Sequence, residues 1–307
     1  MNILIIGAGA YGLALSTILS EKNKVTVYSS LEEEINKLNK THKNEKLFPN
    51  KTLPKEIEFI SKINKKYDLI VLALPTIIIE QELLKIKQNI KDTKILVTAK
   101  GIYNKELPYQ IVKRVSETED IYVLSGPGFA KDVIEKEHLT LTLAGSDDLN
   151  IFNDNTKIEY TDDIIGTELC GMLKNIYAIG AGILGGMNVS ESTKAAYLTN
   201  IINETSKIIE TLDGKKETIL LSCGIGDTIL TCTSTSSRNY TLGYMIGKKE
   251  NIQTYLKETT VEGINSLKEL KDVIDIKEYN IIDTIYNIIY NNQKIEDILK
   301  AWLYGKI

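Results

Sequence analysis

The chain has 307 residues, 43% of them hydrophobic and 25% charged, with 37 Lys and Arg against 41 Asp and Glu. That length suits two domains better than one core, and the slight acidic excess argues against a nucleic-acid partner. Cys170, Cys223 and Cys232 are odd in number, lack metal-ligand spacing and follow no signal peptide, which fits a reducing cytoplasm; no uninterrupted apolar span is long enough to insert in a membrane.

The first stretch is the most informative. A buried apolar run, Ile3 to Ile6, feeds into Gly7-x-Gly9-x-x-Gly12 and then into an apolar helix pattern over Ala10 to Lys22. This strand, turn and helix order is the context a dinucleotide fingerprint needs. Gly7 serves the tight turn, Gly9 lets backbone approach a pyrophosphate, Gly12 lets helix and strand pack closely, and the helix N-terminus offers N–H groups to the anion. Val25 to Tyr28 closes a βαβ unit. At its end stand Ser29 and Ser30, neither an acid for a ribose 2'-hydroxyl nor an arginine for a 2'-phosphate, and Glu32 to Glu34 fall inside the next helix. NAD or NADP is therefore open, with dual use expected.

A polar segment, Asn39 to Pro54, reads as a loop. Tyr67 to Leu74, Ile95 to Thr98 and Ile121 to Leu124 read as buried strands, each followed by Pro75-Thr76, Lys100-Gly101 or Ser125-Gly126-Pro127-Gly128-Phe129-Ala130. Ligands of open parallel sheets bind outside such strand ends. Leu139 to Ala144 is one more alternating strand, after which the strand signal stops and the chain reads as helical. His42 and His138 lie far from the glycine-rich motifs and read as surface residues.

A long helix over Gly166 to Asn188 carries an apolar stripe at Leu169, Met172, Ile176, Ile179 and Ile183. It also carries a small stripe at Gly171, Asn175, Ala178, Gly182 and Gly185. Lys174 borders the small stripe, a position open equally to a cleft or to solvent. A second helix, Ser192 to Leu212, repeats apolar spacing at Leu198, Ile202, Thr205, Ile209 and Leu212. The run Ser222 to Tyr240 holds Asp227, many hydroxyls and Arg238-Asn239, either a solvated loop or an anion site.

Taken together, Gly7-Ala8-Gly9-Ala10-Tyr11-Gly12, Leu74-Pro75, Lys100-Gly101, Ser125-Gly126-Pro127 with Phe129-Ala130, Leu173-Lys174-Asn175, Gly226-Asp227 with Thr231-Cys232, Ser237-Arg238-Asn239 and Val261-Glu262-Gly263 resemble the ordered motifs of NAD(P)-dependent glycerol-3-phosphate dehydrogenase. The resemblance implies an α/β N-terminal Rossmann domain over 1–162 and a C-terminal all-α substrate domain over 163–307, with the active site between them. It further implies a cytoplasmic, dimeric enzyme that interconverts dihydroxyacetone phosphate and sn-glycerol 3-phosphate for phospholipid synthesis.

Carried over by position, the resemblance makes Lys174 the proton donor and acceptor, assisted by Lys100, Asn175 and Asp227. It gives the phosphate substrate to Lys100, Gly126, Gly128, Lys174, Asp227, Thr231, Ser237, Arg238 and Asn239. It gives the coenzyme to Gly7, Gly9, Ala10, Tyr11, Gly12, Ser29, Ser30, Pro75, Lys100, Ala130, Arg238, Thr260 and Glu262, and it implies no metal. Departures are Gly128 where a hydroxyl residue is frequent, Ser29-Ser30 in place of an arginine-bearing turn, and Thr228 where leucine is usual. The alternatives are a related reductase of 2-keto or 3-hydroxy acids and a nonenzymatic NAD(P) sensor.

Overall fold

The structure, a computed structural model, describes residues 1–87, 90, 93–301 and 303, and they divide into two compact units: Met1–Ala99 with Pro108–Ile164, and Lys100–Leu107 with Ile165–Ile307. A boundary at 162/163 would assign segment 100–107 to the first unit. It belongs to the second because its polar groups find partners there: Lys105 N–H donates to Glu269 at 3.2 Å and Lys100 to Asp227 at 2.6 Å.

The first unit is an eight-stranded sheet ordered β3-β2-β1-β4-β5-β6-β7-β8. Its strands are β1 Asn2–Ile6, β2 Lys24–Tyr28, β3 Glu58–Ile60, β4 Leu69–Leu72, β5 Lys94–Val97, β6 Ile121–Ser125, β7 Leu139–Ala144 and β8 Thr156–Thr161. Strands β1 to β6 are mutually parallel, and β7 turns antiparallel to β6. The parallel part has the doubly wound order whose direction reverses between β1 and β4, where ligands of such sheets bind. Ile3, Leu4 and Ile5 are fully buried, as expected of a central parallel strand covered on both faces by helices. The helices are α1 Ala10–Leu19, α2 Glu32–Thr41, α3 Thr76–Ile86, α4 Pro108–Ser116 and α5 Ala130–Ile134.

Several boundaries differ from the sequence reading. α1 stops at Leu19 rather than Lys22, because both the backbone N–H and the side-chain amide of Asn23 donate to the Leu19 carbonyl. α2 takes the first residues of the supposed loop, through Thr41. β3 and β8 lie in segments not read as strands. β8, Thr-Lys-Ile-Glu-Tyr-Thr, is a half-exposed edge strand with no continuous apolar run to announce it.

The second unit is helical: α6 Ile164–Gly186, α7 Glu191–Thr211, α8 Asp227–Thr233, α9 Arg238–Gly247, α10 Gln253–Glu258, α11 Glu262–Leu270 and α12 Asn280–Tyr290. By length and composition the 23-residue α6 could cross a membrane, contrary to the reading that no span could. However, 94% of its most apolar stretch is buried within the protein, so it is a core helix. Part of its small-residue stripe is helix packing: Cβ atoms at Gly182 and Gly185 would collide with the carbonyl oxygen and the hydroxyl of Tyr240 on α9. On α7 the buried face is centred on Tyr197, Ile201, Thr205 and Ile208, one residue away from the Leu198 and Ile202 stripe.

Candidate active site

In the first unit the glycine turn follows β1 directly. Register pairs Ile6 with Tyr28 and with Leu72, so the turn stands beside the ends of β2 and β4. Gly7 has φ +118°, and a Cβ there would lie 2.5 Å from the Ala73 carbonyl oxygen, beside Leu74 and the Pro75 that precedes α3. A Cβ at Gly12 would collide with the Gly7 carbonyl oxygen, so helix and strand touch there. Gly9 is the opposite case: a Cβ there meets nothing within 4 Å. Two glycines are thus demanded by packing, while the third leaves open space over a helix N-terminus whose cap residue, Gly9, makes no side-chain hydrogen bond. That is the cradle a dinucleotide pyrophosphate needs, and the residues fit the coenzyme.

Ala10 and Tyr11 open α1 and, with Ala130 at the start of α5, pack on the core cluster. Gly126 has φ +146°, and a Cβ there would lie 3.0 Å from Leu141; a Cβ at Gly128 would lie 3.3 Å from Val133. Ser30 is exposed. Ser29 is not the bare turn residue that sequence suggested: its hydroxyl donates to Glu34 at 3.1 Å and accepts the Leu31 N–H at 3.3 Å. A carboxylate of α2 therefore does reach the end of β2.

In the second unit Asp227, 1% exposed, holds two lysines. Its Oδ1 accepts from Lys174 at 2.5 Å and its Oδ2 from Lys100 at 2.6 Å. Thr231, one turn along α8, completes the group: its hydroxyl accepts from Lys174 at 2.9 Å and faces Asp227 Oδ1 at 3.4 Å. Burial drives the Lys174 ammonium down to about 8; Asp227 opposes the shift and Lys100 adds to it. Burial alone would raise the Asp227 carboxyl, but the two ammonium groups hold it below its ordinary value. Two lysine ammonium groups on the one Asp227 carboxylate suit this group to meet an oxyanion. The adjacent Cys232 thiol is pushed by burial up to about 12, so it is no nucleophile near neutral pH.

Asp227 owes its place to a π turn over Ser222–Gly226 that runs straight into α8. A Cβ at Gly224 would collide with the backbone of Ile219, so this turn needs glycine. By sequence, glycine on both sides of Ile225 suits backbone placed around an anion; in the structure Gly224 serves the turn itself. The run Ser222 to Tyr240 is thus folded into helices rather than a solvated loop.

The remaining candidates separate by role. Asn239 is 7% exposed; its amide nitrogen donates to Asn175 Oδ1 at 3.0 Å and its oxygen accepts the Gly263 N–H at 2.9 Å. Asn175 in turn donates to Glu262 at 3.1 Å. These three tie α6, α9 and α11 together. Ser237 is the buried N-cap of α9, accepting the Tyr240 N–H at 3.3 Å. Arg238 alone of Ser237-Arg238-Asn239 is exposed, and Thr260 is exposed just before α11.

Residues 2–151 and 163–300 match the N-terminal and C-terminal domains of the family described as NAD-dependent glycerol-3-phosphate dehydrogenase. A Staphylococcus aureus protein (strain bovine RF122 / ET3-1) named glycerol-3-phosphate dehydrogenase (NAD(P)+) is 34% identical, over 97% of this chain and 96% of its own. One of the same name from Leptospira biflexa is 31% identical over 98% and 97%. The fold is similar to the crystal structure of glycerol-3-phosphate dehydrogenase from Coxiella burnetii, with TM-score 0.88, 23% identity and 99% and 98% of the two chains covered. A probable 2-dehydropantoate 2-reductase from Bacillus subtilis reaches TM-score 0.55 at 16% identity, covering 95% and 100%. The chain belongs to the NAD(P)-dependent glycerol-3-phosphate dehydrogenase family.

Proposed function

We propose that the protein is an NAD(P)-dependent oxidoreductase that interconverts dihydroxyacetone phosphate and sn-glycerol 3-phosphate. The observation that carries the chemistry is the buried Lys174, bound to Asp227 and Thr231 with Lys100 on the other carboxylate oxygen. The coenzyme, when bound, supplies or takes the hydride. Gly7, Gly9 and Gly12 shape its pyrophosphate cradle. As the carbonyl carbon is reduced, negative charge grows on oxygen. Lys174 stabilises that charge and gives its Nζ proton to it, becoming a neutral amine. In the reverse direction the neutral amine takes the hydroxyl proton. A lysine shifted to about 8 serves both directions near neutrality. Arg238, exposed and free of any side-chain hydrogen bond among the described residues, receives the substrate phosphate. Asn239 and Asn175 position the helices that carry Lys174 and Arg238.

Place in the cell follows the same reading: a cytoplasmic dimer supplying glycerol phosphate for phospholipids, in keeping with three buried cysteine thiols. Spectrophotometric assay with NADH and NADPH tests the reaction, with 2-dehydropantoate as the competing substrate. Oxidation of coenzyme by dihydroxyacetone phosphate is expected. Turnover of 2-dehydropantoate alone would assign the chain to the acid reductases, and coenzyme binding without turnover would make it a sensor.

A further inference from the structure

Beyond the reaction itself, the end of β2 bears on which coenzyme is used; the argument rests on the dinucleotide reading of the glycine turn. In sheets of this order the adenosine ribose is held at the carboxyl end of the second strand, where an acid binds a free 2'-hydroxyl and a cation accepts a 2'-phosphate. The Gly7 N–H donates to the Tyr28 carbonyl at 2.9 Å, which fixes the glycine turn against Ser29. We infer that Glu34, drawn back to the strand end by Ser29, selects the coenzyme that lacks a 2'-phosphate.

Ser29 has one hydroxyl proton, and it goes to Glu34 Oε2 at 3.1 Å, while the oxygen accepts the Leu31 N–H. Ser29 therefore offers a phosphate no donor unless that bond breaks, and breaking it leaves the carboxylate facing the phosphate. Glu32 and Glu33 share the first turn of α2 with Glu34. One cation near them is Lys62, whose Nζ is 3.9 Å from Glu32, both side chains being largely exposed so that the pair gives little fixed charge; Lys85, near Tyr28, is paired with Glu82. Lys37 lies one turn further along the helix, and Lys24 stands at the opposite end of β2. A 2'-phosphate, carrying about −1.5 to −2 charge near neutral pH, would enter a net negative turn. A 2'-hydroxyl would instead find an acceptor in Glu34.

Isothermal titration of the full chain with NADH and with NADPH, without substrate, tests this. NADH is expected to bind about a hundredfold more tightly at low salt, with the gap shrinking as salt rises. Glu34→Gln keeps an acceptor for Ser29 and removes the charge; it should tighten NADPH binding about tenfold and change NADH binding less than about threefold. Glu33→Gln, at an exposed position of the same turn, should move the ratio less. Equal affinities in the unaltered protein, or a ratio that Glu34→Gln leaves unchanged, would overturn the assignment while leaving the dinucleotide site intact. If neither coenzyme binds, the dinucleotide reading falls and this inference with it.

Discussion

The carboxylate of Asp227 serves two lysines at once, Lys174 at 2.5 Å through one oxygen and Lys100 at 2.6 Å through the other. Because the Lys174 value near 8 reflects burial opposed by Asp227 and reinforced by Lys100, each partner pulls the pH profile in a known direction. If, as proposed, ketone reduction uses protonated Lys174, its kcat should fall as pH rises through about 8, and alcohol oxidation, which would use the neutral amine, should rise through the same point. Asp227→Asn removes the influence that raises the value and should move both midpoints down. Lys100→Gln removes one that lowers it and should move them up. Steady-state pH profiles in both directions read this, and a midpoint unmoved by either change would separate the titration from the group.

Lys174→Ala should lower kcat about a hundredfold or more, because its charge acts on an oxygen that becomes anionic only during reaction. A variant with near-normal kcat would make Lys100 the proton donor instead.

Arg238 and Asn239 are neighbours in sequence with separate duties. On the proposed reading the exposed guanidinium meets a phosphate whose charge is the same before and during hydride transfer. Arg238→Ala should therefore raise KM for the phosphate substrate about ten- to hundredfold, with a smaller loss in kcat. The Asn239 amide is committed to Asn175 and Gly263. Asn239→Ala leaves both buried partners unsatisfied and should lower unfolding stability by about 2–4 kcal/mol, a loss that Arg238→Ala should not share. Urea unfolding beside kinetics separates the two.

What was legible in the sequence was local. The glycine fingerprint declares itself because the strand, turn and helix it needs are consecutive, whereas counting helix turns sets Lys174 beside the small stripe and leaves cleft and solvent equally open. The partner of Lys174 lies 53 residues away and that of Lys100 lies 127 away, so spacing alone could not pair them. Glu34 was misread for a different reason: it was judged by its helix, whereas its side chain turns back five residues to Ser29. Likewise the place of Asn239 beside Arg238 does not announce that its side chain, on the second residue of α9, bonds Asn175 and Gly263. β8 escaped notice because an edge strand need bury only one face.

The π turn gives a prediction of its own. A Cβ at Gly224 would collide with backbone atoms of Ile219, which cannot swing aside as a side chain can. The turn must open, and Asp227, three residues on, moves with it. Gly224→Ala should cost about 1–3 kcal/mol of stability and lower kcat at least about tenfold through misplacement of the carboxylate. Full activity with an unchanged melting temperature would show that the π turn does not position Asp227.

The last prediction concerns Glu204 of α7, remote from substrate. Its Oε1 accepts the Tyr177 hydroxyl at 3.1 Å and the Ile282 N–H at 3.0 Å, and its Oε2 accepts the Ile281 N–H at 3.0 Å. It thereby caps the first turn of α12 and ties it to α6. Glu204→Ala strands a fully buried tyrosine hydroxyl and two helix N–H groups, and should destabilise by about 2–4 kcal/mol. Burial raises the Glu204 carboxyl above its ordinary value, although the three donors and Lys207 work against the shift. In the folded protein this acid therefore holds its proton to higher pH than in the unfolded chain, where it titrates near 4.3. Its contribution to stability is complete below that unfolded value and declines as pH rises through the folded one. Glu204→Gln cannot titrate, so the stability difference between the unaltered protein and this variant should be largest in acid and narrow as pH climbs past the folded value. Urea unfolding of both proteins across that range measures it. A difference that widens with pH would mean that the donors outweigh burial and that Glu204 caps α12 as a favoured anion.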